Sequence, residues 1–341
     1  MINGDLLSER FSFQEGIISP LIGPKAMKAK QAFNKKINSG LYKFEDCKCY
    51  CGSEEGRILS ETDRYGNYYP FVICNRCGIM RANPRLSLDS YVDFYENDYR
   101  TLYGDDEDKL DSLYSLRQEQ AEKVFNFISG RIALEKDSVV FDIGCNMGTM
   151  LLPFLKAGCR VSGVDYGHRF IEYGKSRGNA FIEVGGIDKL FEKNERANLI
   201  ILNHVLEHFV DLQSELMKIR ELLAPGGLLY VSVPGTFWWI KHRCRDDILA
   251  MLQNAHLWQF SLNSLRYVLE CSGFEIVCGN HEVRAIFEKC NGFRQISDFP
   301  KNEFDLTVKY LRMTEKRFLR KLYWIKTLRL NKLSRILYKN G

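Results

Sequence analysis

The chain has no run of about 18 apolar residues, so no segment is long enough to span a bilayer. Its N-terminus, MINGDLLSERFSFQEG, lacks the basic start and apolar stretch of a secretory leader. These two absences predict a cytoplasmic protein. No internal repeat and no low-complexity tract is present. Acids are nearly missing from one stretch, since residues 309–341 hold eleven Lys and Arg against a single acid, Glu315. The other residues carry 37 basic and 42 acidic side chains, so the net charge of +5 belongs to the tail and not to the body.

What is present is the balance of a soluble protein with a real core: 45% hydrophobic and 27% charged residues in a chain of 341. That length predicts two domains, or one large domain with appendages. Eleven cysteines would suggest disulfides in a small exported protein. In a large chain of a reducing compartment they point to metal ligation or core packing, and five of them crowd into residues 47–77.

Four stretches follow one another: a helical arm (1–46), a cysteine-rich module with a linker from 81 to 116 (47–116), an α/β domain (117–290) and a basic helical tail (291–341). In the third stretch, periodicity predicts a helix over 117–132. Strands are expected at 138–143, 160–165, 180–184, 197–203 and 227–233, with helices at 147–157, 168–177 and 212–223 between them. Strands separated by helices of this length imply βαβ units and a mostly parallel, doubly wound Rossmann-like sheet. Residues 273–277 and 283–289, joined by Gly279-Asn280, predict a closing antiparallel hairpin.

The first of these strands runs into Asp142-Ile-Gly144-Cys145-Asn-Met-Gly148. Ligands bind beyond the carboxyl ends of such strands, where glycine lets the backbone approach closely. The spacing is D-x-G-x-x-x-G and not G-x-G-x-x-G, which disfavours a nicotinamide dehydrogenase. Asp142 would repel a pyrophosphate but suits an ammonium, and Asp165 at the next strand end suits the two hydroxyls of a ribose. Three further blocks follow: Asn198 to His208, Leu222-Leu-Ala-Pro-Gly-Gly into a strand, and His256-Leu-Trp-Gln-Phe-Ser into a helix ending near Ser272-Gly273. In this order they resemble class I S-adenosylmethionine methyltransferases over about 117–290. The resemblance implies S-adenosylmethionine as cofactor. It places Asp142, Gly144, Cys145 and Gly148 in the methionine-binding loop and Asp165 on the ribose. Gly186, Ile187 and Asp188 fall at adenine, and Asn203 and His204 line the methionine side. The family often has an acid where Gly186 stands, which leaves adenine to backbone groups or to Asp188.

Cys74-Asn-Arg-Cys77-Gly78 is a knuckle that points two thiolates at one tetrahedral ion. Upstream, Cys51-Gly52 repeats its second half, but Lys48 occupies the position of the missing cysteine. Cys49 or Cys47 must then complete the set through a distorted knuckle, giving a zinc-ribbon-like module with a structural Zn2+. Several reduced, buried cysteines would satisfy the same spacing. Asp63-Arg-Tyr-Gly66, Asn83-Pro-Arg85, Phe94-Tyr95 and Tyr99-Arg-Thr-Leu-Tyr103 resemble the N-terminal part of bacterial surface-polysaccharide and sugar methyltransferases. That likeness implies a sugar acceptor, as a nucleotide derivative or within a glycan.

A sugar hydroxyl is a weak nucleophile near neutrality, so a general base is expected. The candidates are His208, His256 and His204, with Glu207 as an orienting or direct participant. Phe237-Trp-Trp-Ile240, followed by Lys241, His242, Arg243 and Arg245, is either an acceptor platform or a lid helix packing its tryptophans inward. In the tail, apolar residues at 311, 318, 322, 325, 333 and 336 or 337 keep helical spacing among basic residues. This fits a helix packed on the body, or contact with an anionic membrane surface or a biosynthetic complex. Nucleic acid is disfavoured by the acidic body, which also weighs against RNA methylation. RNA or protein methylation and a non-catalytic binding module are the alternative readings.

Overall fold

The computed structural model describes residues 6–13, 24–99, 102 and 110–327. The N-terminal part forms α1 (Pro24–Asn38), β1 (Phe44–Glu45), β2 (Gly56–Thr62), β3 (Tyr68–Cys74), β4 (Met80–Ala82), β5 (Arg85–Leu86) and α2 (Leu88–Asn97). The middle forms α3 (Leu110–Ser129), β6 (Val139–Ile143), α4 (Leu152–Lys156), β7 (Arg160–Asp165), α5 (His168–Ser176), β8 (Ile182–Val184), α6 (Asp188–Phe191) and β9 (Ala197–Asn203). There follow α7 (Leu212–Leu222), β10 (Leu223–Ser232), α8 (Thr236–His242), β11 (Trp258–Gln259) and α9 (Leu262–Cys271). The hairpin β12 (Phe274–Gly279) and β13 (Arg284–Lys289) and the helix α10 (Glu303–Thr327) complete the series. Contacts group the chain into two compact units, residues 105–233 with 266–295, and residues 1–104 with 234–265 and 296–341. This division cuts across the linear boundaries expected from the sequence.

In the first unit a seven-stranded sheet runs in the order β12-β13-β10-β9-β6-β7-β8. The five strands from β10 to β8 are parallel, and the hairpin adds antiparallel to β10. All five residues of β6 are buried, as expected of a strand covered on both faces. Ala121, Val124 and Ile128 of α3, at helical spacing, pack with Val140, Leu199, Ile201 and Tyr230. The order reverses at β6, where the next strand in sequence goes to one side and β9 lies on the other. That switch point is where open α/β sheets place ligands.

Three local expectations are corrected. The helix expected over 147–157 is a 3-10 turn at Thr149–Leu151 followed by the short α4, because Gly148 is left-handed (φ +78°) and Pro153 opens α4. The strand expected from 227 already starts at Leu223, and Pro225-Gly226-Gly227 is absorbed as a register shift between Leu223 and Leu228. Residues 81–116, read as a linker, contain β5, α2 and the start of α3.

In the other unit, β11-β4-β3-β2 form an antiparallel sheet. The β2–β3 turn is tied by Asp63, whose carboxylate accepts from the amides of Tyr65 and Asn67 and from the Asn67 side chain. Helix α10 buries Val308, Leu311 and Phe318 and turns Lys309, Arg312, Lys316, Arg317, Arg320 and Lys321 outward. It is pinned by Arg10, which donates to both carboxylate oxygens of Glu315 (2.7 and 2.8 Å) and pairs with Asp247 at 2.8 Å. The side chain of Ile325 and the tail positions 333, 336 and 337 lie outside the described residues, as do Arg100, Thr101 and Tyr103. Among the described residues, no helix is long and apolar enough to cross a membrane.

Candidate functional site

The loop after β6 is shaped by three left-handed residues, Gly144 (φ +74°), Asn146 (φ +52°) and Gly148. A Cβ on Gly144 would run into the Val205 side chain, so glycine is required there on two counts. The amides of Gly144 and Cys145 both donate to the Val164 carbonyl (2.8 and 3.0 Å), which ties the loop to β7. Cys145 is buried, and its thiol is pushed well up by burial and then by Asp142 and Asp165, so it acts as packing and not as a thiolate. The Asp165 carboxylate accepts from Asn146 N (3.0 Å) and from Gly167 N (2.6 Å), one bond on each oxygen.

Asp142 is 2% exposed at the end of β6. Burial, and then the charge of Asp165, push its carboxyl well above the usual carboxylate range, while Arg117 opposes them. An ammonium beside it would favour the ionised form. The sequence reading missed the groups behind this loop. Asn179 donates to the Met147 carbonyl (2.7 Å) and reaches the Tyr114 hydroxyl (3.2 Å). Gly174, inside α5, leaves no room for a side chain against the same Met147 carbonyl. The available signal was a glycine inside an otherwise amphipathic helix. For Arg117 it was a cation three and four residues from buried Tyr114 and Ala121.

Gly186 makes room for Tyr166, whose hydroxyl lies where a Cβ would stand and whose ring is 66% exposed. Ile187 is buried, and Asp188 opens α6 and pairs with Lys218 at 3.3 Å. Asn203 ends β9. His204 takes a left-handed conformation (φ +59°) and its amide donates to Ser232 O. Its Nδ1 lies 3.5 Å from Oε1 of the buried Glu207. His208 ends the short turn Leu206–His208 that follows. His256 belongs to the other unit, 7% exposed, with its amide on Gln253 O. In that unit α8 turns Ile240 inward and leaves Trp238 and Trp239 half-buried, with Arg243 near both rings (5.9 and 5.7 Å).

Of the five clustered cysteines, Cys49, Cys51, Cys74 and Cys77 bring their sulfurs within 4.8 Å of one another. Cys49–Cys77 and Cys51–Cys74 are 3.4 and 3.5 Å apart. A tetrahedral zinc with bonds of about 2.3 Å sets sulfurs about 3.8 Å apart, so the four fit such an ion with a slight expansion. Cys47 is turned aside. Its amide donates to Asn83 Oδ1 and its carbonyl accepts from Arg81. Gly52 (φ +79°) and Gly78 (φ +73°) close the two knuckles, with amides on the carbonyls of Cys49 and Cys74.

Residues 114–278, which hold the loop after β6 and the switch point, match the model of a family described as "Methyltransferase domain". The match takes in 165 residues, just under half of the chain. Such a domain is built for S-adenosylmethionine. Among curated proteins, the chain is 27% identical to the C-methyltransferase NovU of Streptomyces niveus over 230 residues, covering 65% of this chain and 51% of that protein. It is 31% identical to a ubiquinone biosynthesis O-methyltransferase of Bradyrhizobium sp. over 104 residues, 29% of this chain and 41% of the relative. The chain thus spans about half or less of the length of these relatives. A solved 1,6-didemethyltoxoflavin-N1-methyltransferase of Burkholderia thailandensis aligns with a TM-score of 0.44 at 16% identity, covering 65% of this chain and 96% of that one.

Proposed function

We propose that the chain transfers the methyl group of S-adenosylmethionine to a carbohydrate, as a nucleotide sugar or within a surface glycan, and holds a structural zinc at its four clustered cysteines. The observation that carries the first half is the loop from Asp142 to Gly148 at the switch point, with the Asp165 carboxylate tied to its backbone. The cofactor supplies an electrophilic methyl on a sulfonium. The chain supplies position: Asp165 accepts the ribose hydroxyls, Asp142 takes the ammonium of the amino-acid end, and Arg117 offers a cation to its carboxylate. Holding acceptor and methyl in near-attack geometry provides most of the acceleration. His204, beside Glu207, and His208 follow the strand end on the cofactor side, where a base can remove the acceptor's proton.

Similarity to a C-methyltransferase over 230 residues supports carbon as the attacking atom. Carbon attack requires a proton acidified by a neighbouring carbonyl, so the matching acceptor is a keto-sugar. Four thiolates around one ion leave no open position, so the zinc would serve folding only. The test is a titration of the purified chain with S-adenosylhomocysteine, followed by transfer of labelled methyl from S-adenosylmethionine to a keto-nucleotide sugar. Saturable binding in wild type, lost in Asp165→Ala, together with a methylated sugar, is the expected result. Absence of binding at about millimolar ligand refutes the cofactor assignment, and binding without transfer to any sugar redirects the acceptor to protein or RNA.

A further inference from the structure

The unit that holds the loop after β6 has a cleft of about 580 Å³ at the other end of its sheet. The strands β9 and β10 begin beside it, at Ala197 and Leu223, whereas the loop follows the carboxyl end of β6. Four cations line it, Arg196, Lys218, Arg220 and Lys289, against one acid, Glu221. Lys218 is taken by Asp188 and Glu215, both at 3.3 Å. The other three are held mainly by backbone carbonyls. Lys289 donates to Leu223 O (2.6 Å), Arg220 to Cys290 O (2.7 Å) and Gly273 O (3.4 Å), and Arg196 to Glu221 O, with the Glu221 carboxylate 3.8 Å away.

The carbonyls of Glu221 and Leu223 close the C-terminal end of α7, which attracts cations with about half a charge. Three cations exceed that demand. The excess is felt at Lys289, whose ammonium is pushed below its usual value by burial and then by Arg220 and Arg196, with Glu221 opposing.

We propose that this cleft binds a diphosphate-bearing small molecule, with its phosphates on Arg196, Arg220 and Lys289. With Lys218 neutralised by Asp188 and Glu215, the remaining lining charges, three cations against one acid, leave +2 to meet the two to three negative charges of a diphosphate. Guanidinium forks suit phosphate oxygens. Met217 and Pro225 give an apolar flank for an organic substituent, and the volume suits a small-molecule site. The site is independent of the methyl-transfer reading.

The test is calorimetric titration of the full-length chain at low salt with inorganic pyrophosphate and, separately, with uridine diphosphate. Saturable binding is expected for both. Tighter uridine diphosphate assigns the cleft to a nucleotide, and equal affinity assigns it to the bare anion. The double variant Arg196→Gln/Lys289→Met should weaken both by about tenfold or more, while it still unfolds cooperatively, a few degrees lower for the lost helix-end bonds, and keeps its binding of S-adenosylhomocysteine. Lys218→Gln, a cation already paired, should have a smaller effect. Unchanged binding in a folded double variant overturns the proposal. So does competition between uridine diphosphate and S-adenosylhomocysteine, or a wild-type affinity weaker than about 10 mM.

Discussion

Replacing Gly174 by alanine sets two effects of opposite sign against each other. Gly174 lies within the helix His168–Ser176, where alanine would normally be favoured by about 0.8–1.0 kcal/mol. The added Cβ, however, would fall well inside 3.0 Å of the Met147 carbonyl oxygen, 2.9 Å from its carbon and 2.7 Å from Ile182 Cδ1. An isoleucine tip can move, but a backbone carbonyl in the cofactor loop cannot move alone. Met147 O accepts from Asn179 at 2.7 Å, and displacing it forfeits about 1 kcal/mol of hydrogen bond. Overpacking adds about 1–3 kcal/mol. The net expectation is a loss of about 1–3 kcal/mol, or about 2–4 °C in melting temperature per kcal/mol for a unit of this size. Because the displaced segment is the loop itself, affinity for S-adenosylhomocysteine should fall about tenfold. Calorimetric unfolding with and without S-adenosylhomocysteine reads both effects, and Lys175→Ala on the exposed side of the helix is the control, expected within about 0.5 kcal/mol. A Gly174→Ala protein that melts at or above wild type with unchanged affinity would refute the reasoning.

Metal analysis of untagged protein should find about one zinc per chain, lost in Cys74→Ser together with several kcal/mol of stability; wild type with well under half an equivalent contradicts the four-cysteine centre. Burial pushes the Asp63 carboxyl up to about 6 from 3.8. Being raised, it contributes stability fully below about pH 4, lost as the pH climbs through about 6, with a bound of about 3 kcal/mol. Asp63→Asn should flatten that part of the stability–pH curve, since the Asn67 amide can turn to offer its oxygen; an unchanged curve from denaturant titrations between about pH 4 and 7 would count against it. Glu315→Gln leaves the buried Arg10 with Asp247 as its remaining carboxylate and should cost about 3 kcal/mol. Replacing all three charges at once, Arg10→Met/Asp247→Asn/Glu315→Leu, should recover most of that loss, and a triple variant as unstable as the single would reject the account.

The parallel strands were legible because runs such as Arg160–Asp165 and Ala197–Asn203 are short and apolar between turn residues. The glycine-bearing loop from Gly144 to Gly148 follows the first of the parallel strands, Val139–Ile143, where the sequence pattern sets it. The early start of β10 was hidden by Pro225-Gly226-Gly227, a sequence that signals a turn and here forms an irregularity within a strand. The helix Leu88–Asn97 was hidden by its Tyr and Asp content, which resembles loop composition although Tyr91 and Phe94 keep a buried stripe. The choice between Cys47 and Cys49 lay beyond spacing, because it depends on Asn83 and Arg81 fixing the backbone of Cys47 from a distance in sequence. Nor does local pattern show that residues 234–265 fold with the N-terminal part, since the pairing of Trp258 with Arg81 is a purely long-range contact.

That pairing has a consequence for biosynthesis. A ribosome delivers β4 long before β11, so the nascent chain must keep the edge of its cysteine-rich sheet open while the whole parallel sheet is being translated. An unpaired strand edge is a template for wrong partners, and contacts of such sequence separation form slowly. The edge strand β4, only Met80–Ala82, offers little length for mispairing, and metal capture by the nearby cysteines would hold the hairpin in shape during the wait. Early zinc supply should therefore govern the yield of soluble protein more than the stability of the finished molecule does.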